Sequence, residues 1–201
     1  MQKLIGLCAF SVMAAACGSD DIDSNEEARR AYLGLDPSVE KSLQLGFDGF
    51  NAASNANIDP QITTGDTDGM LTISGQVDKG ASANKGMRLR VGMVGYSDGE
   101  VEINDDGDTV KVIYDTDADP TLQPLLDLKF MNFPAGTMNG TLTGTYVLSD
   151  DIESTATLTL TITGTTMDGG GGLVVRVPGD THVVGTLVTD DDGTFDVDVT
   201  L

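Results

Sequence analysis

Residues 155–163 read T-A-T-L-T-L-T-I-T, an unbroken alternation of threonine with an apolar residue. A period of two is the spacing of a β-strand with one buried face. Ala156, Leu158, Leu160 and Ile162 fall on that face, and the threonines fall on the other. Branching at the threonine Cβ stiffens χ1 and suits a pleated surface. A chain carrying this segment needs partner strands on both sides of it.

Those partners are present. In residues 71–77, Leu71, Ile73 and Val77 alternate with Thr72, Ser74 and Gln76. In residues 87–96, Leu89, Val91 and Met93 alternate with Arg88 and Arg90. Residues 100–104 and 109–115 read as two short strands around the acidic turn 105–108, and Asp98-Gly99 reads as a hairpin turn. Residues 125–133 place Leu126, Leu128 and Phe130 on one face. Residues 137–148 set Met138, Leu142, Tyr146 and Leu148 against Thr137, Thr141, Thr143 and Thr145, then turn at 149–151 into 155–163. A short strand at 173–177 ends at Pro178-Gly179, and 182–189 and 194–201 form a last hairpin. The expectation is an antiparallel meander of about nine or ten short strands, forming a barrel or a sandwich. Closure of the sheet would hide the two edges that invite aggregation.

One helix stands apart from this pattern. Asp36 is a good N-cap, and Pro37 suits the first helical position, where its missing N–H costs nothing. Val39, Leu43, Phe47 and Phe50 then recur at helical spacing on one apolar face. Asp59-Pro60 reads as the stop. Gly46 and Gly49 weaken the helix interior and would let it approach the sheet closely. The reading divides the chain into a signal at 1–16, an acidic tether at 17–27, a helical segment at 28–57 and a β-domain at 66–201. The helix is expected to cover the sheet or the mouth of a barrel.

Charge sets the partners. There are 32 acidic against 11 basic residues, a formal charge of −21, which repels phosphate backbones and excludes direct nucleic-acid binding. The strand segments are short, Gly interrupts the apolar rows and no aromatic girdle is present, so a transmembrane barrel is not expected.

The N-terminus is a targeting segment. Lys3 precedes a short apolar run at 4–13, and Ala14, Ala15 and Ala16 lead into Cys17. This A-A-A-C motif resembles the lipobox of bacterial lipoprotein precursors, with Ala14 where that family usually has leucine. The resemblance covers the first tenth of the chain. It implies that Cys17 is acylated, becomes the mature first residue and anchors the chain to a membrane. Gly18, rather than aspartate, follows it, which by the same resemblance implies an outer-membrane address in the cell envelope. Cys8 lies inside the signal, so no disulfide is expected.

Catalytic motifs are not found. His182 has no second histidine for a zinc site, and no G-x-S-x-G elbow accompanies it. Asp115, Asp117 and Asp119 resemble the start of a calcium loop, but Pro120 and Leu126 occupy the positions that need Gly and Glu. No enzymatic activity and no cofactor are expected. Three functional readings are weighed: a lipid-anchored envelope lipoprotein with a structural or interaction role, a β-barrel that holds a small apolar ligand beneath the helix, and, least favoured, a hydrolase.

Overall fold

A computed structural model describes residues 21–171, 173–190 and 193–201. The signal at 1–16 and Cys17 lie outside them. The described chain is one helix, α1 (Asn25–Ala52), followed by eleven strands. They are β1 (Asn57–Thr64), β2 (Asp68–Val77), β3 (Lys85–Ser97), β4 (Glu100–Glu102), β5 (Thr109–Asp115), β6 (Leu125–Met131), β7 (Gly136–Asp150), β8 (Ser154–Gly170), β9 (Leu173–Arg176), β10 (His182–Thr189) and β11 (Gly193–Thr200).

All eleven strands belong to one antiparallel sheet, laid out in chain order as a meander. Its spine runs β1-β2-β3-β5-β7-β8-β10-β11, with β6 bridging β3 and β7, β4 beside β5 and β9 beside β8. The longest pairing joins β7 to β8, from Gly136↔Thr166 to Leu148↔Ser154. The alternation in β8 is realised: Ala156, Leu158, Leu160 and Ile162 are buried, and Thr157, Thr159, Thr161 and Thr163 are exposed. The inward leucines, valines and methionines expected from 71–77, 87–96, 125–133 and 137–148 are buried as well, and Phe195 and Leu201 are half-buried.

The sheet curls around α1. The helix touches β1 and β2 at one end of the sheet, β3, β4 and β5 in its middle, and β9 and β11 at the other. Residues 31–36 are all buried, and between Glu27 and Phe50 only Asp48 is exposed. α1 is therefore the filling of the fold rather than a cover on it. Val39, Leu43 and Phe47 enter one continuous core with Leu71, Met87, Leu128, Leu160 and Val197. Phe47 packs edge-on to Phe130 at 5.4 Å and lies 5.2 Å from Phe133. Each fully buried Leu or Phe contributes about 1.5–3 kcal/mol relative to exposure.

Small residues let the backbone of α1 come this close. A Cβ on Gly46 would meet Met87 Sδ at 2.8 Å and Leu89 at 3.1 Å. A Cβ on Gly34 would meet Tyr114 Oη at 2.6 Å, and that hydroxyl donates to Ala31 O at 2.7 Å.

Four boundaries differ from the sequence reading. α1 begins at Asn25, three residues before the expected helical segment, and runs through Asp36 without a new start there, so residues 22–27 are not tether: Ile22 is fully buried and Ser24 is the N-cap. Ser24 Oγ accepts from Glu27 N at 3.3 Å, and the Glu27 carboxylate accepts from the Ser24 hydroxyl, a capping arrangement stronger than the Asp36-Pro37 signal. Pro37 sits inside the helix, and the Asp36 carboxylate is engaged by Arg176 instead of a helix N-terminus. The sheet begins at Asn57 rather than 66, because Asp59-Pro60 is not a stop. It lies in β1, at a register shift between Ile58 and Gln61. β1 pairs only with β2, and an edge bulge tolerates a residue without an N–H. Asp98-Gly99 is not a hairpin either. β3 and β4 on its two sides both pair with β5, so the dipeptide is a jog along one sheet position.

Among the described residues no helix is long and apolar enough to cross a membrane.

Candidate functional site

The interior offers little room. Among the described residues, the cavity between α1 residues Ala31 and Leu35 and sheet residues that include Tyr114, Tyr146 and Leu187 holds about 10 Å³. That volume is about one water probe, and the lining is apolar.

Two charged networks fasten α1 to the sheet. Arg176, on β9, donates to both Asp36 oxygens at 2.8 and 2.7 Å and to Glu40 at 2.7 Å, while Tyr32 Oη donates to Asp36 at 3.0 Å. The Arg176 and Asp36 side chains are each only 12% exposed. Burial opposes the charge on Arg176, but the bonds to Asp36 and Glu40 outweigh it and raise its pKa. Burial, reinforced by the Asp36 charge, pushes the Tyr32 hydroxyl well above its ordinary range.

The second network is centred on Asp98. Its carboxylate accepts from Lys41 at 2.5 Å, from Tyr96 Oη at 2.6 Å and from Asp66 N at 3.0 Å. Lys41 also reaches Asp66 at 2.7 Å. Partial burial opposes the ammonium charge, and the two carboxylates more than compensate, so the Lys41 pKa is raised. Both networks are fully occupied by groups of this chain. They hold the helix in place, and Glu40 and Arg176 also line a recess of about 190 Å³ with Val177, Pro178, Thr181 and Leu201.

The residues singled out from sequence do not converge. Asp115 accepts from Gly95 N at 2.8 Å, Asp117 from Asp119 N at 2.8 Å, and Asp119 from Thr121 N and Oγ1 at 2.9 Å. Asp115 ties β5 to β3, Asp117 and Asp119 serve a local turn, and the Thr121 bonds hold the Asp119 pKa below its ordinary value. Among the described residues no group of three or more His, Cys, Asp or Glu side chains is placed to hold a metal. His182 is an exposed cross-strand residue, with Nε2 2.8 Å from Asp198 Oδ1.

The larger recesses lie on the outside of the sheet. One, of about 360 Å³, is lined by Asp127 and Lys129 of β6, Asn139, Gly140 and Thr141 of β7, and Thr161 of β8. The other, of about 310 Å³, shares Lys129 and Asn139 with it and adds Asp78, Arg88 and residues beside them. Register makes this trough: Arg88, Asp127, Thr141 and Thr161 form one cross-strand row, and Gly86, Lys129 and Asn139 form the next. Arg88 is held by Asp78 at 2.7 Å, and that guanidinium lowers the Asp78 pKa. Lys129 is exposed and has no ion-pair partner among the described residues. The trough can hydrogen-bond a polar partner. Sequence reading passed over it. Its one signal was the run Asp127–Lys129 with Asn139, polar groups that interrupt an otherwise threonine-rich outer face.

Comparison with protein-family models, with curated proteins and with solved structures finds no match to this chain.

Proposed function

We propose that this chain is a lipid-anchored lipoprotein of the cell envelope, addressed to the outer membrane, whose acidic β-domain has a structural or interaction role rather than a catalytic one. The observation that carries the reading is the occupied interior. α1 takes the space in which a small apolar ligand would sit, leaving about 10 Å³. This supports the interaction reading over the ligand-holding barrel. The polar trough around Lys129 and Asn139 is the surface best suited to a partner.

The anchor rests on Cys17 and the lipobox-like run before it. More than one acyl chain on that residue would give durable attachment, at about 0.8 kcal/mol per buried methylene. Metabolic labelling with a fatty acid tests it. The native chain is expected to incorporate label and partition into detergent, and Cys17→Ser is expected to do neither. Identical mass and partitioning for the two chains would remove the anchor. Native mass spectrometry of the purified protein tests the interior: an apo mass supports the interaction role, and a retained apolar adduct supports the ligand-holding barrel.

A further inference from the structure

We infer that one end of the domain, built from the N-terminus of α1 and the acidic loop 104–108, faces the bilayer at close range, and that the headgroup surface it accepts is electroneutral. The inference rests on the lipid-anchor reading above and adds an orientation to it.

Chain length sets the range. Ile22 is fully buried and Ser24 already caps α1, so the folded domain begins at most five residues after Cys17. A polypeptide spans at most 3.3–3.6 Å per residue, so Ile22 cannot lie more than about 18 Å from an acylated Cys17. α1 has 28 residues and is therefore about 42 Å long. Such a tether cannot bring the C-terminal end of α1 to the membrane while leaving the N-terminal end away from it.

The membrane-facing residues follow from contacts. Arg29 Nη2 donates to Ile103 O at 2.7 Å, which places loop 104–108 beside the first turns of α1. Asn25 Oδ1 accepts from Asp196 N at 2.9 Å, which places β11 on the other side. Asn104 folds the loop on itself, accepting from the N–H groups of Asp106 and Asp108 and donating to the Asp108 carboxylate. Asp21, Asp23, Glu26, Asp105, Asp106 and Asp108 are all exposed there. Arg29 is already bound to Glu26 at 2.9 Å. An end so charged is repelled by an anionic leaflet across a distance comparable with the Debye length, about 10 Å at 0.1 M salt. The opposite end is of mixed charge: Lys79 lies over the Phe50 ring at 3.9 Å, and Lys85, Arg88 and Lys129 line the trough together with Asp78 and Asp127. The domain would thus present its trough away from the bilayer.

The test uses lipidated protein purified in detergent and reconstituted into phosphatidylcholine vesicles that carry a surface acceptor dye. A fluorophore is placed on Asp106→Cys or, at the far end, on Ala81→Cys, both at exposed positions. Energy transfer is expected to be stronger from position 106 by roughly threefold or more, because the two positions lie at opposite ends of a helix about 42 Å long. Equal or reversed transfer from a chain shown by mass to be lipidated overturns the orientation and leaves the anchor intact. A chain that carries no lipid overturns the anchor, and the orientation with it. Replacing part of the lipid with phosphatidylglycerol is expected to weaken transfer from position 106 at low salt and to restore it at high salt. Stronger transfer on the anionic vesicles overturns the preference for an electroneutral surface.

Discussion

Arg176 and Asp36 stand 140 positions apart in the chain and meet in a two-pronged bond at 2.8 and 2.7 Å. The pair joins β9 to the middle of α1, and Glu40 and Tyr32 complete it. Arg176→Met removes the guanidinium and leaves Asp36 and Glu40 together without a counter-charge. The expected loss is about 2–4 kcal/mol in a urea titration, somewhat below that of a fully buried pair because both side chains keep some contact with water. Adding Asp36→Leu to Arg176→Met is expected to recover part of the loss, since burying apolar groups there costs less than stranding a charge.

The two close approaches of α1 give different outcomes for one chemical change. Gly34→Ala and Gly46→Ala each gain about 1 kcal/mol of helix propensity. At Gly34 the new methyl group meets the Tyr114 hydroxyl, which is fixed by its bond to Ala31 O. A net destabilisation of about 1–2 kcal/mol is expected there. At Gly46 it meets the end of the flexible Met87 side chain, and the net change is expected within about 0.5 kcal/mol of zero. Thermal or denaturant unfolding of the two variants, side by side, checks the difference.

The spine of the sheet ends in two edge strands, β1 and β11, and both are blunted. β1 carries Pro60 and a register shift. On β11, Leu201 exchanges both backbone bonds with Thr181. Counting back along the register, the backbone groups of Asp196 and Asp198 turn away from β10. Asn25 takes the Asp196 N–H, and the two exposed carboxylates would repel an approaching strand. The double variant Asp196→Val, Asp198→Val is expected to self-associate at concentrations where the native chain does not, as read by light scattering.

All four tyrosines are buried, and burial is the first cause raising each of their pKa values. A raised pKa means that the folded chain holds these protons more tightly than the unfolded chain, whose tyrosines titrate near pH 10. Their contribution to stability is complete below about pH 10 and falls as the pH rises beyond it. Absorbance near 295 nm should therefore stay flat past pH 10 and then rise in one step that coincides with unfolding. A smooth titration centred at pH 10 with the fold intact would contradict the burial of these rings.

The strands were legible because their information is local. In β7 and β8 each residue's face follows from its neighbours two places away. The same locality explains what was misread. Asp36-Pro37 has the chemistry of a helix start, but Asp36 answers to Arg176 on a distant strand, and the true start at Ser24 lay in a stretch that reads as acidic tether. Pro60 argues against a strand except at an edge, and which strand is an edge depends on the whole topology. Asp98-Gly99 has turn chemistry, yet the Asp98 carboxylate is held by Lys41 from 57 positions away. Above all, the apolar spacing of Val39, Leu43 and Phe47 showed one face of α1. Nothing in that spacing announced that the sheet would wrap the other faces as well.

That wrapping is the central claim, and hydrogen exchange read by mass spectrometry tests it most directly. If α1 fills the sheet, the amides of residues 33–47 other than Pro37 exchange only with global unfolding, as slowly as those of the β7–β8 pair and with the same dependence on denaturant. Exchange of these α1 amides well ahead of β7 and β8, with the sheet still protected, would mean that the helix is a detachable cover and would contradict the account.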